Sequence, residues 1–296
     1  MSGSEVVGGA ESVAVTLDDP EVGPLTFDVV VAGPADGPAV VLLHGFPETS
    51  ACWRLLVPVL AAAGYRVIAP DQRGYSPRAR PREASAYRSD RLVGDVLGLA
   101  DALGADSFHL VGHDWAAAVA WQVAGHHPDR LLTLTILSVP HPAAFGAALA
   151  GDGGSDQASR SSYMEFFRTA GSEDTLLADD AALLRLLYAG SGLSDEESAP
   201  YLDALADPVA LGAALNWYRG ADITLVDGLG PIVTPTLYVW SSEDVALGRE
   251  AAEATGGFVE GPYRFEVLEG VDHWIAEHAP DSMARLVLEH VGQSST

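Results

Sequence analysis

Asp114 stands at the centre of Gly112-His113-Asp114-Trp115-Ala116, between a short apolar run, Phe108 to Val111, and a stretch with a helical pattern, Trp115 to His126. Small residues at both ends of the pentapeptide let the chain turn sharply from strand to helix and present one side chain at the bend. A carboxylate there is ionised at neutral pH, its reference pKa being about 4, and needs no base to ready it for attack. The positive end of the following helix favours the anion further. Carboxylates attack amides poorly, but they displace leaving groups from saturated carbon and leave an ester that water must cleave. Strained ethers and alkyl halides suit this chemistry. The competing reading is that Asp114 only caps the helix beginning at Trp115.

This bend resembles the nucleophile elbow of the α/β-hydrolases, where serine is usual at the place of Asp114 and a second glycine at the place of Ala116. The resemblance implies an oxyanion hole. His44-Gly45-Phe46-Pro47 follows the apolar run Ala39 to Leu43, so the backbone N–H groups of Phe46 and Trp115 would be its donors. Ester cleavage also needs a base. Of nine histidines, His273 is best placed, in Gly270-Val271-Asp272-His273-Trp274 after the last strand-like run. The acid that orients it should fall between nucleophile and base in chain order. Asp244 fits, with Glu243 as its rival. Relatives that carry the acid after the earlier strand would need it at Ser138 or Val139, which favours Asp244. Asp272 reads as a turn residue, His126 and His127 as helix C-terminal residues, and His109 as a core residue. His113 and His141 are candidates for lining the pocket without reacting.

The surrounding elements must hold these groups. Glu11 to Leu17 and Leu25 to Val31 read as a hairpin at the sheet edge. Strand-like runs at 39–43, 66–69, 108–111 and 131–137 alternate with helical patterns at 50–63, 89–103 and 115–126. This rhythm predicts an α/β fold with a mostly parallel, doubly wound sheet. From Val139 to Val226 the patterns are helical only, with helices at 181–188, 195–205 and 209–218, and Gly151 to Ser159 reads as a mobile loop. Strands at 236–240 and 263–268 and a helix at 280–290 complete the chain. The expected division is a core over 1–138 and 227–296 with an inserted helical cap over 139–226. With 41 acidic residues against 16 basic ones, all arginine, the formal charge of −25 disfavours nucleic acid and membrane surfaces as partners. Cys52 is the one cysteine, which excludes an internal disulfide and a thiolate zinc cluster. No secretory signal is visible at Met1-Ser2-Gly3-Ser4-Glu5, so a cytoplasmic protein is expected.

Taken together, HGFPE at 44–48, DQRGYS at 71–76, VGHDWAA at 111–117, SED at 242–244 and DHW at 272–274 resemble the epoxide hydrolases of the α/β-hydrolase superfamily. Two segments of the helical insertion, Ser162 to Phe167 and Asn216 to Arg219, resemble those that carry the family's paired epoxide-activating tyrosines, and so point to Tyr163 and Tyr218. A phenol of pKa about 10 can hold an epoxide oxygen and give it a proton while staying neutral at rest. The bland alternative is that both rings only pack the cap. The resemblance implies a small-molecule epoxide substrate, no metal or organic cofactor, and leaves a homodimer open. Phe166, Phe167, Trp217 and Trp274, with His113, are expected to line an apolar pocket suited to an aromatic or polycyclic epoxide. Haloalkane dehalogenases share the Asp nucleophile and the following tryptophan, but the asparagine that often helps hold halide is replaced by Phe46. A fluoroacetate dehalogenase would need an arginine clamp, and a serine esterase a serine at 114. A non-catalytic binding protein on the same fold is the rival of a different class.

Overall fold

Between residues 10 and 32 alternating apolar side chains build two long strands. In the computed structural model, which describes residues 5–6, 9–151 and 154–293, these follow a two-residue strand, β1 (Glu5–Val6), as β2 (Ala10–Asp19) and β3 (Gly23–Ala32). They pair antiparallel, and β3 joins the sheet against β5. The remaining strands are β4 (Ala39–Leu43), β5 (Arg66–Pro70), β6 (Phe108–His113), β7 (Leu131–Leu137), β8 (Thr236–Ser241) and β9 (Tyr263–Leu268). β4 to β9 run parallel, and the order across the sheet is β1-β2-β3-β5-β4-β6-β7-β8-β9. The helices are α1 (Leu56–Ala62), α2 (Ser89–Ala102), α3 (Trp115–His126), α4 (Pro142–Leu149), α5 (Gln157–Arg160), α6 (Tyr163–Arg168), α7 (Ser172–Gly190), α8 (Asp195–Leu205), α9 (Pro208–Gly220), α10 (Arg249–Ala254), α11 (Ile275–His278) and α12 (Pro280–Gly292). α1 packs on α12 and α2 on α3, while β4, β6 and β8 are buried at every position. A strand covered on both faces has no solvent-facing side, which is why Ala39-Val40-Val41-Leu42-Leu43 shows no alternation.

The strand order sets the site. From β4 the chain winds first to β5 on one side and then to β6 on the other. The crevice at the carboxyl ends of β4 and β6 is therefore the switch point at which open α/β sheets bind ligands. His44 to Glu48 leave β4 there, and Asp114 leaves β6. The helices α4 to α9 lie in sequence between β7 and β8 and are fastened to the sheet domain by hydrogen bonds. Trp217 Nε1–H donates to the Arg73 carbonyl (2.7 Å), Tyr188 O–H to that of Pro47 (2.6 Å), and Gln122 Nε2–H to that of Leu225 (2.6 Å). Arg73 itself bridges α2 and β2, reaching Asp95 at 2.7 Å and Asp19 at 2.9 Å. Among the described residues, no helix is long and apolar enough to cross a membrane.

Three local expectations are corrected. The helix expected over 50–63 is a 3-10 turn, Ser50–Leu55, followed by α1. Pro58 lacks the N–H that a continuous α-helix would donate to Arg54, and its ring would crowd that carbonyl. The helix containing 181–188 belongs to α7, whose backbone breaks at Ala178 to Ala181, with φ of 52, 60 and 58° at the last three. The stretch 151–159, apart from Asp152 and Gly153, which lie outside the described residues, is not simply a loose loop. Gln157 opens α5 fully buried, donates to the Ala246 carbonyl (2.6 Å) and accepts from Gly248 N–H (2.7 Å).

A Cβ at Gly112 would sit 2.7 Å from the Ala116 carbonyl oxygen, whereas one at Gly94 in α2 meets nothing within 4 Å. Gly112→Ala should therefore destabilise the fold by about 1–3 kcal/mol. Gly94→Ala should stabilise it by about 0.5–1 kcal/mol through helix propensity alone. Thermal unfolding of the two variants, moving in opposite directions from wild type, checks this.

Candidate active site

Asp114 adopts φ 51°, ψ −125°, a conformation that a residue with a side chain rarely takes. Two glycines make room for it. Gly112 admits the first turn of α3, and a Cβ on Gly45 would lie 2.4 Å from the Asp114 Cβ. The bend turns the carboxylate away from the helix: although Asp114 precedes α3, its side chain makes no capping hydrogen bond. Instead Oδ1 accepts the Phe46 N–H at 2.9 Å, and Oδ2 lies 3.5 Å from His273 Nε2. His273 Nδ1 is 2.9 Å from Asp244 Oδ2. Asp244 Oδ1 accepts the N–H groups of Ala246 (2.8 Å) and Leu247 (3.0 Å). Of the two acids considered for this place, Asp244 reaches the ring, while Glu243 is exposed. Asp272 instead accepts from Trp274 N–H and pairs with His278.

The two carboxylates are buried and His273 is half-buried between them, and their charges support one another. Desolvation alone would push the Asp114 and Asp244 carboxyls up. It is outweighed by His273, with help at Asp114 from His113 and the Phe46 N–H, so both carboxyls titrate below the usual range. Desolvation would likewise lower His273, but the two carboxylates raise it well above its ordinary value. At rest the site thus holds an imidazolium between two anions. Below it lies a second pair. Glu48 Oε2 is 2.8 Å from His113 Nδ1, and His113 Nε2–H donates to the His273 carbonyl (2.9 Å), so this pair props the loop that carries His273.

These groups open into a cavity of about 220 Å3 lined by Phe46, Pro47, Asp114, Tyr163, Phe167, Leu187, Ser191, Tyr218, Val245, Ala246, His273 and Trp274. Tyr163 and Tyr218, from α6 and α9, line the same cavity as Asp114. The Tyr218 ring meets Trp115 (4.9 Å between centroids), Phe167 (5.0 Å) and Phe46 (5.2 Å), mostly edge-on. Desolvation and the nearby Asp114 charge push both phenols far up, so both stay protonated donors at rest. The other two insertion tyrosines that reach the core are already engaged, Tyr188 with Pro47 and Tyr201 with Glu277.

A family model described as alpha/beta hydrolase fold matches residues 38–280. The chain belongs to this family. Among relatives, the hydrolase is 33% identical to epoxide hydrolase A of Mycobacterium tuberculosis, over 88% of this chain and 92% of that one. It is 34% identical to the AB hydrolase superfamily protein YfhM of Bacillus subtilis, over 90% and 94%. A solved structure described among novel epoxide hydrolases from metagenomes of hot environments superposes with a TM-score of 0.80 at 31% identity, covering 94% of this chain and 98% of the other.

Within this hydrolase the expected lining residues separate. Phe167 and Trp274 border the cavity; His113, Phe166 and Trp217 do not. His113 is buried beneath His273 by its hydrogen bonds. Phe166 turns outward, 38% exposed, because Phe167 takes the inward position of α6. Trp217 is drawn into the core by its bond to Arg73. His141 borders a different cleft, where it receives the Ala143 N–H and stacks on Phe258. His109 is a buried core residue bonded to Thr133, and burial lowers it to about 4. Trp115 opens α3 directly behind Asp114, where a first-turn N–H has no intrahelical acceptor. Sequence reasoning missed Glu48, although it stands in the HGFPE motif four residues after His44. A carboxylate so close to the oxyanion loop was the available signal. It also missed Leu187, Ser191 and Val245, which no motif marks.

The Asp114 carboxylate is one of two anions that raise His273, so Asp114→Asn should lower the His273 pKa. A histidine NMR titration of wild type and variant checks the sign; an unchanged or higher value contradicts the charge arrangement.

Proposed function

We propose that this hydrolase converts epoxides to vicinal diols through a covalent ester on Asp114. The observation that carries the reading is one cavity lined by a non-capping carboxylate, Asp114, and two phenols, Tyr163 and Tyr218, with His273 3.5 Å from that carboxylate and paired with Asp244. In the first step Asp114 attacks an epoxide carbon, the ring C–O bond breaks, and the oxygen takes a proton from Tyr163 or Tyr218. Esterification removes the Asp114 charge that helped hold a proton on His273, so that proton passes to the tyrosinate. The neutral His273, oriented by Asp244, then takes a proton from water, whose oxygen attacks Asp114 Cγ. The Phe46 and Trp115 N–H groups receive the oxyanion. On collapse the bond from Cγ to the diol oxygen breaks, that oxygen takes the proton of the new Cγ hydroxyl, and the Asp114 carboxylate is left with the oxygen from water while His273 keeps its proton. The helical insertion acts as a cap that delivers the tyrosines and closes the site from water. The apolar walls, Phe46, Phe167 and Trp274, support an apolar substituent on the substrate, and the names of the relatives support the epoxide group itself.

The test is a turnover panel of aryl and alkyl epoxides beside bromoalkanes. Wild type should form diol and release no bromide. Asp114→Asn should lose at least about 10³-fold, and Tyr218→Phe about 10²-fold in kcat/KM. Bromide release without diol would assign a haloalkane dehalogenase. Binding without turnover of either class would assign a non-catalytic binding protein.

A further inference from the structure

The cavity above Asp114, about 220 Å3, is smaller than the roughly 300–1,000 Å3 of sites that enclose drug-sized ligands. A substrate much larger than its reacting end must therefore extend through the mouth, and the mouth's chemistry selects the remainder of the molecule. Two segments form it. Past its break, α7 turns Leu187 and Ser191 into the cavity, one helical turn apart. Leu183 lies one turn earlier on the same face and is 44% exposed. The loop after β8 supplies Val245, which borders the cavity yet is 73% exposed and so stands at its rim. The Ser191 hydroxyl turns its hydrogen back to the Leu187 carbonyl (2.9 Å), and the Tyr163 hydroxyl belongs to the reacting end of the cavity. From Leu183 to Ser191, eight residues at 1.5 Å each make a stripe about 12 Å long, and Leu186, 61% exposed on the same helix, adds to its apolar surface.

Charge restricts the occupant further. Arg185 on α7 is paired with Asp180 (3.4 Å), and Arg160 of α5, which reaches the loop after β8 through the Asp244 carbonyl (2.9 Å), is paired with Asp156 (2.8 Å). Exposed Asp179 and Glu243 flank the two apolar stretches, on a chain of formal charge −25. A carboxylate on the substrate would meet repulsion and no free cation among these groups.

Resting on the reading that Asp114 opens epoxides, we propose that Leu183, Leu187 and Val245 form an apolar exit track. The preferred substrate is an uncharged epoxide with a linear aliphatic tail that runs from the cavity across the mouth. Aromatic rings surround the reacting end, whereas the track is aliphatic and offers no ring to stack on, so an aliphatic tail suits it better than a fused aromatic system.

Two measurements separate this inference from the reading beneath it. The first is wild-type diol formation from epoxyalkanes of increasing length. The second is the Kd of the matching 1,2-alkanediols, from propanediol to decanediol, read by tryptophan fluorescence, which needs no turnover. The diols should tighten by about two- to fourfold per added methylene until the tail passes Leu183. A tail ending in carboxylate should bind at least tenfold more weakly than the uncharged tail of equal length. Leu183→Glu and Val245→Glu, both at exposed positions, should flatten the length dependence. A flat series in wild type, equal binding of the carboxylated tail, or an unchanged slope in both variants overturns the track. Length-dependent diol binding without any epoxide opening supports the track and overturns the epoxide reading alone.

Discussion

A carboxylate buried as deeply as Asp114 stays charged only where cations and N–H dipoles replace the water it has lost. The fold supplies these from three separate stretches of chain. Phe46 N–H comes from the end of β4, the positive end of α3 stands directly behind, and the His273 ring comes from the loop after β9. The same ring is claimed by Asp244, so one cation is shared by two anions and its proton is held tightly. In the proposed reaction that sharing would link the two chemical steps: the Asp114 anion holds the proton on His273, and esterification of Asp114 would release it. The order of events would then follow from the electrostatics alone.

The backbone serves the same end. Asp114 occupies strained dihedrals that hold its side chain off the α3 N-terminus, where it would otherwise cap the helix, and Gly45 and Gly112 leave the space this needs. The switch point between β4 and β6 brings the oxyanion loop and the elbow side by side, and the helices after β7 supply the tyrosines from the other side. Glu48 and His113 support the base from below through the His273 carbonyl. None of these residues works alone, which is why the elements that carry them span most of the chain.

Much of this was legible in the sequence because the responsible signals are local. The five-residue apolar run at 39–43, bounded by turn signals, reads as a covered strand, and the bounds of β4, β7, α3 and β9 are those the local sequence patterns give. The elbow was legible because small residues at 112 and 116 bracket an acid where strand meets helix. The choice between Asp244 and Glu243 rested on chain order, and the structure separates them by which one faces the ring. What sequence could not give was side-chain direction. Phe166 and Phe167 are neighbours of equal apolarity, and only the packing of α6 decides which one enters the cavity. Trp217 fits an aromatic lining as well as a core position until its bond to Arg73 is seen. The inward stripe of α7 was hidden because the helix breaks at Ala178 to Ala181, which resets its phase.

The central claim is that Asp114 itself forms the bond to substrate and gives up one of its own oxygens. A single turnover in heavy-oxygen water, with enzyme in excess over an epoxide that it opens, tests this most directly. Mass analysis of the peptide containing Asp114 and of the released diol should find the label in the peptide and none in the diol. Label in the diol with an unlabelled Asp114 peptide would mean that water attacks the substrate directly, and would contradict the account.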